Sequence, residues 1–240
     1  MRLADFKVLT FDCYGTLIDW ESGMTAALQP LVRRMRSPLR QDEILAAHAR
    51  HESAQQLQTP AMLYSRLLAV VHKRLAEEWE TPAPWDESVA YGQSIRDWPP
   101  FPDTAAALAT LRQHYKLVIL SNVDNASFAT SNPNLGVTFD AIYTAEDIGS
   151  YKPSPRNFEY MLDKLAGLGI ARNEILHTAE SLFHDHKPAN DFGLASCWIH
   201  RRHEQGGFGA TMDPGTQPRT DFRFTSMQAL ADAVRAERGG

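Results

Sequence analysis

Asp12 stands where a short apolar run, Val8 to Phe11, gives way to Cys13-Tyr14-Gly15-Thr16. Such a run reads as a buried strand, and ligands of open α/β sheets bind at the carboxyl ends of strands. An isolated buried carboxylate is costly unless something pairs with it. Asp12 is therefore either a paired structural charge or a positioned reactive group. As a reactive group it is a nucleophile: a carboxylate oxygen attacks an electrophilic centre and divides one hard step into two through a covalent ester. Gly15 permits a tight turn, and Thr16 can hydrogen-bond the Asp12 carboxylate and fix its rotamer. The N–H groups of Cys13 and Tyr14 can then hold a substrate carboxylate.

Three further segments fit that chemistry. Lys152 lies in Tyr-Lys-Pro-Ser-Pro, where the prolines stiffen the loop. An ammonium held beside Asp12 keeps it ionised and screens charge as the ester forms. Ser121 and Asn122 follow an apolar run and offer a hydroxyl and an amide to a substrate carboxylate or leaving group, or simply cap a helix. Asp185 supplies a second carboxylate, either to orient or activate water for ester hydrolysis or only to pair with Lys152.

The elements that must carry these residues come in two textures. From about Asp19 to Asp97 the periodicity is helical, with Tyr64, Leu67, Leu68, Val71 and Leu75 on one face. Ser22–Met35 and Asp42–Gln56 are further helices, interrupted near Pro38 and Pro60, and Trp98-Pro99-Pro100-Phe101-Pro102 closes the region. Beyond it strands and helices alternate. Asp103 caps a helix through His114. Lys116–Leu120, Ala141–Tyr143, Ile175–Thr178 and Ser196–His200 read as strands, and Ser154–Leu165, Lys187–Phe192 and Ser226–Arg238 as helices. Gly206 to Pro218 reads as a loop. Such alternation implies a parallel sheet covered on both faces. The helical insertion after the first strand emerges above the strand tips, where it can exclude water and contact substrate.

Composition narrows the partners. The 240 residues carry a net charge of −5, with 43 % hydrophobic and 22 % charged residues. Nothing there asks for a nucleic-acid or membrane partner. Two cysteines, Cys13 and Cys197, make no disulfide framework, and no stretch looks like a signal or a membrane span. The expectation is a soluble cytoplasmic protein acting on a small molecule, with a homodimer left open.

Phe11-Asp12-Cys13-Tyr14-Gly15-Thr16, Leu120-Ser121-Asn122, Tyr151-Lys152-Pro153-Ser154-Pro155 and His184-Asp185 followed by Gly193 resemble, in order, the four motifs of the haloacid dehalogenase (HAD) superfamily. Tyr14 and Cys197-Trp198-Ile199-His200-Arg201 are similar to its L-2-haloacid dehalogenase branch. The resemblance implies an α/β fold: a Rossmann-like doubly wound parallel sheet from residues 1–18 plus 99–240, with an inserted helical cap over 19–98. It implies a hydrolase that attacks the sp3 carbon of a 2-substituted carboxylic acid through Asp12, with Lys152, Asp185 and Thr16 as catalytic partners and no cofactor. Magnesium-dependent phosphatases of this superfamily place a second Asp two residues after the nucleophile, where this chain has Tyr14, and Ser181 stands at a position of their metal acids. That reading is the first alternative; a non-catalytic binding protein on the same fold is the second.

The chain also departs from the dehalogenase pattern. Arg50 is the nearest counterpart to the cap arginine of that branch, while Phe158 and Leu182 replace a Tyr and an Asn. Relatives that open azetidine-2-carboxylate by the same attack need a proton donor for the departing amine, and Glu180, His184 or His186 can supply it. Other residues read as structural. His-x-His on a turn directs the two rings of His184 and His186 apart, so zinc is not expected. Cys13 and Cys197 read as small core residues, and Trp79, Trp85 and Trp98 as packing for the cap and its hinge.

Overall fold

The computed structural model describes residues 1–239. Six strands form one parallel sheet in the order β3-β2-β1-β4-β5-β6. They are β1 (Val8–Phe11), β2 (Lys116–Ser121), β3 (Ala141–Thr144), β4 (Ile175–Ala179), β5 (Ala195–Ile199) and β6 (Phe222–Phe224). β1 is buried along its whole length, as a central strand covered on both faces must be. Alternate side chains serve the two cores. Leu9, Phe11, Leu117 and Ile119 join one cluster, while Val8, Val118, Leu120 and Ile175 join another beneath Phe158, Met161 and Leu165.

Between β1 and Trp98 lie only helices: α1 (Trp20–Val32), α2 (Gln41–Gln58), α3 (Tyr64–Glu78) and α4 (Trp85–Gln93), with a short 3-10 turn at Ser94–Asp97. This is the helical cap. Asp19 starts α1 by accepting from the Ser22 N–H at 3.2 Å. α3 and α4 approach closely because Gly92 has no side chain; a Cβ there would lie 2.1 Å from the Ser65 carbonyl oxygen. The remaining helices are α5 (Thr104–Leu111), α6 (Asn125–Ser131), α7 (Ala145–Ile148), α8 (Pro155–Gly167), α9 (Lys187–Asp191) and α10 (Met227–Arg238). No helix among the described residues is long and apolar enough to cross a membrane.

Several details correct the sequence reading. The helix after Asp103 stops at Leu111, and Asp103 takes its N-cap position without a side-chain capping bond. Its carboxylate instead receives Arg201 Nη1 at 2.9 and 3.0 Å and the Gln228 N–H at 3.1 Å, tying β5 and α10 together. Trp98 is buried and Trp79 packs against the core, but Trp85 is 55 % exposed and packs no hinge. Both cysteines are free and buried.

Candidate active site

The register of the sheet decides what meets at Asp12. Phe11 is level with Ile119 on one side and Thr178 on the other. Asp12 therefore emerges between the tips of β2 and β4, next to Ser121-Asn122 and Ala179-Glu180. Strand order reverses across β1 and β4, the crevice where ligands of doubly wound sheets bind. The turn after Asp12 is closed by the Leu17 and Ile18 N–H groups donating to the Cys13 carbonyl, and by Gly15 donating to Ile18. Gly15 has φ +98°, a conformation costly to any residue with a Cβ. The N–H groups of Cys13 and Tyr14 have no backbone acceptor among the described residues.

Both oxygens of Asp12 are held. Thr16 Oγ1 donates to Oδ2 at 2.8 Å, and Lys152 Nζ to Oδ1 at 2.9 Å. Thr16 in turn accepts from the Glu180 N–H at 2.9 Å. Lys152, 1 % exposed, divides its three protons among Asp12, Asp185 Oδ1 at 2.7 Å and the Leu120 carbonyl at 2.9 Å. Asn122 clamps the lysine's backbone from both sides, accepting from its N–H at 2.7 Å and donating to its carbonyl at 3.0 Å. Behind Asp185 stands His177, whose Nε2 lies 3.0 Å from Asp185 Oδ1 and whose Nδ1 lies 2.8 Å from Thr10 Oγ1. A carboxylate only accepts, so Nε2 carries the proton and Thr10 donates to Nδ1.

The electrostatics separate the two aspartates. Burial raises the pKa of Asp12, and the charge of Asp185 adds to it, against the opposing pull of Lys152 and Thr16. Burial acts on Asp185 as well, but there Lys152 and the His177 hydrogen bond win and hold the carboxyl well below the usual range. Burial disfavours charge on Lys152, yet the two carboxylates outweigh it and raise its pKa. Asp185 Oδ2 and Ser121 Oγ are buried with no partner among the described residues, and both belong to the pocket wall.

These groups line a narrow cleft together with Tyr14, Glu180, His184 and, from the cap, Trp20, Glu52 and Tyr64. Burial, reinforced by the charges of Glu21 and Asp12, pushes Glu180 up to about 8. His184 is pushed down to about 4 by burial. It sits on a single π-helical turn, Leu182–His186, that starts from Ser181; such turns recur at functional sites. Ser181 Oγ accepts the His184 N–H at 3.0 Å and lies 3.2 Å from its Nδ1.

Three of the residues singled out from sequence do other work. Arg50 is exposed and paired with Glu78 at 2.9 Å on the outer face of α2, away from the pocket. His186 is fully buried with Nε2 on the Ala179 carbonyl at 2.9 Å, so it braces the π turn. The side-chain amide of Asn122 braces the lysine loop with one N–H and its oxygen, while the residue also lines the cleft. Tyr14 is in the pocket wall, its hydroxyl 2.9 Å from Ser131 Oγ. Sequence reasoning missed His177 as the support of Asp185, and it missed Glu52. Period-2 alternation puts Thr10 and Asp12 on one side of β1, with His177 level with Thr10, which is the signal that could have found the first.

No three His, Cys, Asp or Glu side chains among the described residues converge as a metal ion needs. A hard divalent cation takes several oxygen ligands, and Asp12 and Asp185 already share the Lys152 ammonium. A magnesium ion held by these two carboxylates would compete with that ammonium.

The sequence profile of the haloacid dehalogenase-like hydrolases matches residues 6–178, from β1 through the first three motifs into β4. The chain belongs to that family. As a haloacid dehalogenase-like hydrolase it shares its fold with the L-2-haloacid dehalogenase PA0810 at a TM-score of 0.74 and 23 % identity, over 96 % of this chain and 99 % of that one. The L-2-haloacid dehalogenase of Xanthobacter autotrophicus with chloropropionic acid covalently bound superposes at 0.75 with 20 % identity, over 96 % and 98 % of the two chains. A pyrimidine 5'-nucleotidase of Escherichia coli K12, YjjG, is 25 % identical over 108 residues. That match covers 44 % of this chain and spans about half of the nucleotidase, 47 % of its length.

Proposed function

We propose that this hydrolase displaces a leaving group from the sp3 carbon of a small 2-substituted carboxylic acid, with Asp12 as nucleophile and residues 19–98 as the cap over the site. The observation that carries the reading is the Asp12–Lys152–Asp185 arrangement at 2.9 and 2.7 Å, with a tyrosine and not an acid two residues after the nucleophile. The Cys13 and Tyr14 amides and Ser121 Oγ bind the substrate carboxylate. An Asp12 oxygen forms the bond to carbon as the leaving group departs with the bond's electron pair, and Lys152 loses one of its two anionic partners to the neutral ester. Water then attacks the ester carbonyl of Asp12, the product alkoxide takes a proton, and the carboxylate returns.

The two remaining acids divide the second step. Asp185 is held too firmly ionised to be a strong base, so it fixes Lys152 and orients water through its free Oδ2. Glu180, with a pKa of about 8, holds a proton near neutral pH and is suited to give it to the product alkoxide, the proton released by water then restoring it. The X. autotrophicus structure, with its covalently bound acid, lends support at the level of fold. A panel of haloacetates, 2-halopropionates and azetidine-2-carboxylate, read for halide and amine, tests the reading. Release from one class that vanishes in Asp12→Asn supports it. Phosphate release from nucleotides, abolished by a chelator, would replace it with the phosphatase reading that the nucleotidase match favours.

A further inference from the structure

The connection from β5 to β6, residues 200–221, forms no helix or strand. Connections longer than roughly 12–15 residues without secondary structure are uncommon in compact domains, and those that occur usually serve a site. Two consecutive arginines fasten this one. Arg201 donates twice to the Thr16 carbonyl, at 3.1 and 3.0 Å, and pairs with Asp103, so it grips the loop that carries Asp12. Arg202 reaches the cap instead. Its Nη1 donates to Glu21 in the first turn of α1. Its Nη2 donates to Asp42 in the first turn of α2 at 3.3 Å and to the Gly206 carbonyl at 3.1 Å.

Glu21 is the hub of this contact. Its Oε2 takes Arg202, and its Oε1 takes the Ala210 N–H at 2.9 Å. The strap comes so close that only glycine fits at 209, where φ is +61° and a Cβ would lie 1.8 Å from Glu21 Oε1. Arg202 is 7 % exposed, and a buried guanidinium is costly unless paired, so its partners fix where the strap sits. Thr211 follows, its hydroxyl donating to the Phe208 carbonyl at 2.8 Å, and it completes the cleft wall on which Glu180 stands.

Glu180 feels the same pair. Burial does most to raise its pKa, Glu21 adds to it, Arg202 opposes it, and Asp12 and Asp185 are the other charges that raise it. The proton that Glu180 keeps at neutral pH therefore depends on this side of the cleft staying closed to bulk water.

Resting on the two-step Asp12 reading above, we propose that Arg202 and Glu21 are positioning residues of ester hydrolysis, a core-to-cap pair that seats residues 200–221 as a wall beside Glu180. Displacement uses Asp12, the Cys13 and Tyr14 amides and Ser121 Oγ, none of which is hydrogen-bonded to the strap among the described residues. Hydrolysis is the step that needs one water admitted and the rest kept out. The water oxygen bonds to the ester carbon of Asp12, and the bond from that carbon to the product oxygen breaks. The alkoxide takes the Glu180 proton, and the proton lost by water restores it.

The test uses Gly209→Ala, which disturbs the seat without changing a charge, and Arg202→Lys, which keeps the charge and loses the fork. Amide hydrogen exchange of peptides within 203–218 reads the seat, and melting temperature reads the fold. The mass of the Asp12 peptide during reaction with 2-chloropropionate reads the ester. In both variants exchange should be about tenfold faster or more. Ester formation should slow by less than about threefold and ester breakdown by about tenfold or more, so that the ester accumulates. A merely structural role lowers the melting temperature and leaves that split unmoved. Formation and breakdown slowed alike, or breakdown at the wild-type rate, overturns the inference and leaves the Asp12 mechanism standing. A wild-type protein that forms no ester on Asp12 overturns both.

Discussion

Lys152 Nζ lies 2.7 Å from Asp185 Oδ1, closer than its 2.9 Å to Asp12, the proposed nucleophile. The shorter contact goes to the aspartate that also receives His177, so Asp185 anchors the ammonium and Asp12 shares it. The charge of Asp185 raises the pKa of Asp12. In Asp185→Asn that charge is gone, so the acid limb of kcat/KM should move to lower pH while kcat falls on the order of 100-fold. A pH–rate profile of the variant checks the sign; an acid limb moved upward contradicts it.

Removing the shared cation should be worse for folding than removing either anion. Lys152→Met leaves Asp12 and Asp185 buried side by side with no compensation, at a cost of about 3–5 kcal/mol. Denaturant unfolding measures it. An unchanged midpoint would mean that the three charges are not coupled in the folded chain.

Arg50→Ala should change kcat/KM by less than about twofold and stability by at most about 1 kcal/mol, because the side chain is exposed and tied only to Glu78. Steady-state kinetics on whichever panel substrate is turned over decides the point. A large loss would place Arg50 over the cleft.

Stability should pass through a maximum between about pH 5 and 6.5. Glu52 and Glu180, raised to about 7 and about 8, hold protons that the unfolded chain releases near 4.5. Their contribution is complete below 4.5 and is lost as pH rises through 7 and 8. His48, His184 and His186, lowered to about 3, 4 and 4, stay neutral when folded but charge near 6.5 when unfolded. Their contribution is complete above 6.5 and is lost as pH falls toward 4. Melting temperatures from pH 4 to 9 should show both limbs, and Glu180→Gln should flatten the alkaline one.

Much of this arrangement was legible in the residues, for identifiable reasons. β1, β2, β4 and β5 are apolar runs ended by polar tips, and the parallel order follows from their alternation with helices. Asp12, Thr16, Lys152 and Asp185 do converge, the first two on the loop at the tip of β1, Lys152 on the loop between α7 and α8 and Asp185 on the turn after β4. Glu52 was hidden because α2 carries polar residues all round, among them buried His48, Gln55 and Gln56, so no apolar stripe marks its inner face. The burial comes from α3, which only the assembled cap brings against it. β6 escaped as a three-residue edge strand, and α4 and α6 as short helices with mixed surfaces.

The central claim is that an oxygen of Asp12 becomes part of an ester and is exchanged with water. Excess enzyme should be given its substrate for a single turnover in oxygen-18 water, and the product and the peptide containing Asp12 weighed. The account predicts an unlabelled product and one heavy oxygen in the Asp12 carboxylate. A labelled product beside an unlabelled Asp12 peptide would mean that water attacks the substrate directly, and the mechanism would be wrong.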